Sequence, residues 1–508
     1  MQTAFINVDV TTLDSARPRA AGVLTSDGLI ERLLDAAPVG LPKEVRVIDC
    51  RGAALVPGLH DCHAHLTDAG LLAGSYDIRD CADIAAVLRR VADLARDDGA
   101  AAAAPLYAGN YDETLIAERR PPNRDELDSV APARPVLLTR VDGHSCVVNS
   151  AAFALLGVDG LEGVERDESG TPTGRLIGRA NYAAQGVVRR LPDAARRAAG
   201  QRAAATALSG GITTIHHVIA NDAPLEQLEQ AYRDDAALPL RVISKTCSSD
   251  VRKVKRLGGR VFGGDIFVDG SIGSRTAAVS HAYCGSDARG LLYLTRAQLF
   301  ELFDEASQAG LSLGVHAIGD RAIEESIAAW EGVVAARGSL HGVRPSIDHF
   351  EIAQPDQIER AARLGMLLSV QPAFDHLWGG DDGMYAQRLG VGCAQGMNRF
   401  KSAKLAGCVI CGGSDAPVTS LSALLGIHAL VTHHVVEERL TVEEALRAYT
   451  ADAAKLSFDE QRRGVIAAGY DADFVVLEKR LDAVAPDAIK DMRVLMTIVA
   501  GEIRYSAM

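Results

Sequence analysis

The chain has 508 residues and a net charge of −13, with Lys and Arg scattered and no dense basic stripe, which argues against nucleic acid as a partner. Hydrophobic residues make up 48%, enough for a large core, yet no apolar run approaches the roughly 20 residues of a membrane span. The opening MQTAFINVDVTTLD lacks a basic segment followed by an apolar one, so a cytoplasmic protein with no membrane partner is expected.

The nine cysteines are an odd number without framework spacing and read as reduced, mostly buried thiols. Cys408 and Cys411 form a CxxC, but the context AGCVICGGSD is a short apolar strand and no second CxxC exists. Two core cysteines are the better reading.

Residues 3–56 read as short strands broken by polar turns, and 464–506 look alike. Two β-rich ends around a different middle predict one composite β-sandwich domain, 1–56 plus 456–508. The middle, 57–455, alternates strands and helices. Apolar runs ending in polar residues occur at 55–63, 211–217, 240–245, 264–270, 311–316, 345–349, 367–371 and 408–415. Helical patterns such as 298–309 lie between most of them. That alternation implies parallel βαβ units, and eight of them make an α/β, TIM-like (β/α)8 barrel. The gap after the first strand is too long for one crossover, so about 70–200 reads as an inserted subdomain. It holds a helical stripe at 82–97, an AAAAAP tract at 100–105 read as a turn or helix end, and a strand candidate at 135–140. The T-x-x-E of TVEEALRAYT (441–450) signals a capped helix after the last barrel strand.

Residues 57–65 read PGLHDCHAH. Side chains alternate along a strand, so His63 and His65 share one face and His60 shares the other with Cys62. At the C-terminal end of the first barrel strand, His63 and His65 point into the barrel mouth, where barrel active sites sit. His60 reads as a satisfied structural histidine. His316, His349 and Asp415 end later strands in the same way. Imidazoles and a carboxylate converging on one mouth suit a divalent transition metal such as Zn²⁺. A lone strand-end histidine is commonly a core residue; several in register carry more weight. His216, His217, His281, His376, His433 and His434 read as structural.

The pattern resembles the amidohydrolase superfamily, most strongly its amidohydrolase-3, YtcJ-like branch. PGLHDCHAH, TRVDGHSCVVNSAAF (139–153), FVDGSIGSRTAAVSHAY (267–283), GVHAIGDRAI (314–323), IDHFEIAQPDQI (347–358), SVQPAF (369–374) and GGSDAPVTS (412–420) follow in the family's order. The resemblance implies a (β/α)8 barrel, a β domain from both termini, and metal-assisted hydrolysis. It implies one or two divalent ions held by His63, His65, His316 and His349, Zn²⁺ first, with Mn, Fe or Co as alternatives. Asp415 would touch the metal and accept a proton from water.

Where that branch is expected to place a bridging lysine, four residues before the D-G-S aspartate, this chain has Asp265. Three readings stand. Asp265 is itself a ligand, or it hydrogen-bonds beside a single metal, or Lys245 reaches across to neutralise it or replace the lysine. A second departure is Gly178-Arg179 after P-T-G (172–174), where the family often has a glutamate; it bears on the substrate pocket. His144, in the insertion, is the best substrate-contact candidate, set equally against a turn histidine that only holds the insertion together; Asp269 and Arg275, in the loop after the fourth strand, are the other candidates, with structural pairing to an acidic neighbour the preferred reading of Arg275.

The expected activity is hydrolysis of a non-peptide C–N bond in an N-acyl or N-formyl amide. A deaminase or cyclic amidohydrolase is the alternative, and a non-catalytic small-molecule-binding relative the rival. A small-molecule substrate is the expected partner, and a homodimer would be unsurprising.

Overall fold

Eight parallel strands carry the centre of the chain in this computed structural model, which describes residues 2–36, 42–73, 76–96, 105–188, 192–219, 238–340 and 342–508. They are Leu59–Ala64 (β1), Ile212–Ile219 (β2), Arg241–Thr246 (β3), Val261–Phe267 (β4), Ser312–Ala317 (β5), Ser346–His349 (β6), Leu367–Val370 (β7) and Val409–Gly412 (β8). Every run expected from the sequence is present. Every residue of β1, β2, β5, β6 and β7 is buried, which fits strands covered on both faces.

The eight strands lie in two parallel arcs, β3-β2-β1 and β4-β5-β6-β7-β8. The arrangement is a TIM-barrel-like α/β fold, but among the described residues the ladder does not close into one hydrogen-bonded ring. Between β8 and β1 the link is an Ala64–Ala416 bridge, with Asp415 N donating to the His63 carbonyl at 2.7 Å. Between β3 and β4, the Cys247 thiol donates to the Gly263 carbonyl at 3.2 Å and accepts from Asp265 N at 3.3 Å.

Helices return the chain between strands. Arg296–Ala309 begins with a Thr295–Gln298 capping box, and Val442–Ala448 with the expected Thr441–Glu444 box. Behind the arcs, Trp330 stacks on Phe303 with ring centroids 4.4 Å apart, both fully buried in the main core.

The two ends of the chain do meet. Hydrogen bonds join them in one continuous eight-stranded sheet, in which Phe474–Leu477 pairs with Arg46–Pro57. Among the described residues the ladder joins these strands in this single sheet, with Phe5 against Phe474 at 4.8 Å in its core. The inserted segment has its own five-stranded sheet and two apolar clusters, and the strand expected at 135–140 is Val136–Arg140 within it. Residues 100–104 of the alanine tract lie outside the described residues. The nine cysteines form no disulfide among the described residues, and Cys408 and Cys411 are core residues as expected. No helix among the described residues is long and apolar enough to cross a membrane.

Trp330→Ala removes the largest fully buried side chain behind the arcs. It is expected to cost about 3–5 kcal/mol, seen as a lower urea midpoint with unchanged far-UV circular dichroism before the transition.

Candidate metal centre

The site is assembled from strand ends on different parts of the chain. His63 and His65 come from the end of β1, Asp265 from β4, His316 from β5, His349 from β6, and Asp415 from just after β8. The structure brings all six expected ligands together. His63 Nε2 lies 3.4 Å from Asp265 Oδ1 and 3.5 Å from Asp415 Oδ1. His65 Nε2 lies 3.3 Å from Asp265 Oδ2 and 3.1 Å from Asp415 Oδ1. The His349 ring stands 5.1 Å from His63 and 4.3 Å from His316.

These separations test whether an ion fits. Two ligand atoms each 2.0–2.2 Å from a tetrahedral ion are about 3.3–3.6 Å apart, close to the values found. Nε2 of His63 and both ring nitrogens of His316 and His349 are buried without hydrogen-bond partners. Buried nitrogens are normally paired, so unpartnered ones facing carboxylates call for a cation. Two ligand triads recur, His63–His65–Asp415 and His63–Asp265–His349, sharing His63.

The backbone adapts to this crowding. His349 and Asp415 sit at φ 76° and 54°, a left-handed conformation costly for residues with a Cβ. A Cβ on Gly413 would lie 2.7 Å from the His63 nitrogen, so only glycine lets the strand after β7 pass so close to β1. In β4, Gly263 pairs with Gly314 and Phe267 with His316, so four steps along β4 match two along β5. Asp265 lies in that bulge, after Gly263 and Gly264 at φ 86° and 97°.

Electrostatics follow from burial and neighbours. Burial disfavours an imidazolium at His63, but the Asp265 and Asp415 carboxylates outweigh it and push its pKa up to about 10. Burial also opposes ionisation of Asp265, yet His65 and His63 hold it well below the usual carboxylate range. His349 goes the other way: burial and the neighbouring His316 and His63 keep it neutral.

Lys245 does not neutralise Asp265, contrary to one reading of the sequence. Its ammonium pairs with Asp348 Oδ1 at 2.8 Å, and the same oxygen accepts from His63 Nδ1 at 2.7 Å. That bond fixes the His63 tautomer and frees Nε2 for the site, the usual task of a carboxylate behind a metal-binding histidine.

A cavity of about 210 Å³ opens on this cluster and is lined by His65, Asp265, His316, His349 and Asp415, together with His144, Arg140, Tyr182 and Phe267. The inserted segment thus covers the mouth, and His144 faces the ligands as expected. Its Nδ1 bonds Tyr182 Oη at 2.6 Å and its ring stands 5.1 Å from His316. Burial and His316 bring its pKa down to about 4, so it is a neutral imidazole.

The sequence of the amidohydrolase family matches residues 46–505 of the chain. The chain belongs to the amidohydrolase family. YtcJ of Bacillus subtilis (strain 168) is 28% identical, over 95% of this chain and 94% of its own. N-substituted formamide deformylase of Arthrobacter pascens is 28% identical over 99% and 98%. A solved metal-dependent hydrolase from Pyrococcus horikoshii OT3, uncharacterized, shares the fold with a TM-score of 0.76 at 23% identity, over 96% and 99% of the two chains. The protein is a hydrolase of carbon–nitrogen bonds.

Within this amidohydrolase, the two other expected substrate contacts lie off the cavity. Asp269 is fully buried and accepts backbone N–H groups from Ala278, Ile318 and Gly319 at 2.8, 3.0 and 2.8 Å. It also stands 3.5 Å from His316 Nδ1, so it anchors the His316 loop. Arg275 does not line the cavity; the arginine that does is Arg140. Arg140 is held by Asp112, Glu113 and Asp142 at 3.3, 2.8 and 2.8 Å. Asp142 in turn accepts from Ser271 at 2.6 Å, tying the insertion to the loop after β4. The sequence signal for Arg140 was its place in TRVDGHS, beside His144. His60 is buried as expected, and among the described residues its Nδ1 has no hydrogen-bond partner.

Asp348→Asn is expected to cost about 3–5 kcal/mol, because it leaves the Lys245 ammonium buried and uncompensated. Lys245→Met/Asp348→Asn should recover most of that in chemical denaturation. Both variants should bind divalent metal about 10–100-fold more weakly in chelator competition, since His63 loses its carboxylate partner.

Proposed function

We propose that this amidohydrolase uses one divalent ion, Zn²⁺ first, to hydrolyse a small uncharged N-acyl or N-formyl amide. The observation that carries the proposal is the set of unpartnered imidazole nitrogens facing two carboxylates at the floor of a closed-in cavity. His63, His65, Asp265 and Asp415 would hold the ion. The two triads share His63, and one imidazole nitrogen serves one ion, which favours a single ion, with His349 of the second triad beside it. When bound, a divalent ion supplies Lewis acidity and lowers the pKa of water to about 7.

The chain supplies the rest. Asp415 lines the cavity and takes the proton from the attacking water, then delivers it to the departing nitrogen. His144, neutral and oriented by Tyr182, is placed to hydrogen-bond the carbonyl oxygen of the substrate. Tyr182 and Phe267, stacked with centroids 4.9 Å apart, offer an apolar wall for the group on nitrogen. The wall also disfavours an anionic substrate. Arg140 is the only Lys or Arg among the described lining residues, and three carboxylates already occupy it. The likeness to N-substituted formamide deformylase supports a neutral amide of that chemical type.

A panel of N-substituted formamides and simple N-acyl amines, followed by proton NMR, tests this. Release of formate or another carboxylate together with an amine is expected; ammonia released from amidines instead would replace the reading with a deaminase. Asp415→Asn should lower kcat by about 10²–10⁴-fold while His63 and His65 still retain metal, and full turnover in that variant would remove Asp415 from the chemistry.

A further inference from the structure

A second group of imidazoles and a carboxylate shares no residue with the first. Asp375 lies on the helix Pro372–Trp378, and His433 and His434 follow the helix Ala423–Thr432. His433 Nε2 stands 3.2 Å from Asp375 Oδ1, with side-chain exposures of 0% and 2%. His434 Nδ1 lies against the same oxygen. One ligand atom from each of the three is within 4.8 Å of the others.

His433 Nε2, both ring nitrogens of His434 and Asp375 Oδ1 are buried without a hydrogen-bond partner. His433 Nε2 and Asp375 Oδ1 stand at ligand-to-ligand spacing, as at the barrel mouth, while His434 Nδ1 lies closer to the same oxygen. The other polar atoms are engaged. Asp375 Oδ2 accepts from His434 N at 3.1 Å, which turns Oδ1 toward the rings. His433 Nδ1 lies 3.2 Å from the Val435 carbonyl, and donation there leaves the Nε2 lone pair free. The rival tautomer has Nδ1 accept from Val435 N at 3.0 Å and Nε2 carry a proton.

Gly379 closes the helix at φ −75°, ψ −175°, a backbone any residue adopts. A Cβ there would meet the Asp375 carbonyl at 2.4 Å, His434 Nδ1 at 2.7 Å and Asp375 Oδ1 at 2.9 Å. The glycine therefore serves the tight closure and also keeps the space beside two of the three donor atoms open.

We propose that Asp375, His433 and His434 form a second divalent-metal site, of the nitrogen–oxygen type that suits Zn²⁺, completed by water. Its role is to clip the helix Pro372–Trp378 to the turn after Ala423–Thr432. That helix also carries Phe374, stacked near His349 at 6.1 Å, and Trp378, whose indole N–H donates to Asp112 at 3.1 Å. The clip thus fixes a wall between the barrel mouth and the insertion.

Crystals of the full chain grown with ZnCl₂ and measured on both sides of the zinc edge test the site directly. The expected result is an anomalous peak about 2.0–2.2 Å from His433 Nε2, His434 Nδ1 and Asp375 Oδ1. In elemental analysis of the dialysed protein, Asp375→Asn should lose one zinc equivalent per chain, and His63→Ala/His65→Ala should keep it. No peak among the three atoms in the wild-type crystal overturns the proposal and leaves the Asp–His contacts as proton-bearing pairs. A peak here with none at the barrel mouth would overturn the catalytic reading and leave this one standing.

Discussion

Asp348 has no solvent exposure and serves two partners with one oxygen, the Lys245 ammonium and His63 Nδ1. A buried carboxylate is tolerated only when its charge is matched, and Lys245 matches it. Because that match is complete, Asp348 can hold the His63 ring in one tautomer without competing for the site beyond it. Nε2 is then presented to Asp265 and Asp415. Among the described residues those two carboxylates pair with no lysine or arginine. Without a cation, protons on His63 and His65 must balance them, which is why both imidazoles hold their protons more firmly than usual. A divalent ion among the four would take over the task of those protons. The site is arranged so that its own electrostatics are incomplete.

The same logic separates the arginine on the cavity wall from the carboxylates on its floor. Arg140 is as buried as Lys245, and it is surrounded by three acids. Through Asp142 and Ser271 it joins the insertion to the loop after β4, so its charge is used in assembly. Trp378 joins the same network through Asp112. The cavity is therefore walled by three distant parts of the chain that are held by charged and polar pairs, while the interior they enclose offers neutral groups: His144, Tyr182 and Phe267.

Much of this was legible in the sequence because strands in parallel arcs end in register. Apolar runs ended in polar residues, and four of those, His63, His316, His349 and Asp415, meet at the barrel mouth. Alternation placed His63 and His65 on one face correctly. It fails at Asp348 and His349, which are adjacent yet both approach His63. His349 has a positive φ, and so does Phe350, so the regular pleat ends there and neighbours no longer point to opposite sides. The reading that set Lys245 against Asp265, one of three left open, fails for a related reason. The partner of Lys245 lies 103 residues away on β6, and spacing along the chain carries no record of which strand faces which. His433 and His434 were passed over because their carboxylate lies on a different helix, with no short motif to link them. Arg275 and Asp269 were drawn to the substrate by their place in a family motif, whereas burial and backbone hydrogen bonds give Asp269 a structural task.

Asp265 shows how a side chain that seemed too short is accommodated. A carboxylate on one methylene cannot span the distance that a carboxylated lysine can. The two consecutive glycines before it allow a bulge in which β4 has two more residues than β5 over the same rise. A bulge displaces the backbone and re-aims the side chain it carries. Here Asp265 N is turned to the Cys247 thiol, and its two carboxylate oxygens reach His63 and His65 separately. The reach missing from the side chain is supplied by the main chain. A straight β4 would hold Asp265 to the regular pleat, at a distance set by the strand spacing alone. The glycines and the aspartate are therefore one feature, and the substitution at the expected lysine position is compatible with a metal-binding site.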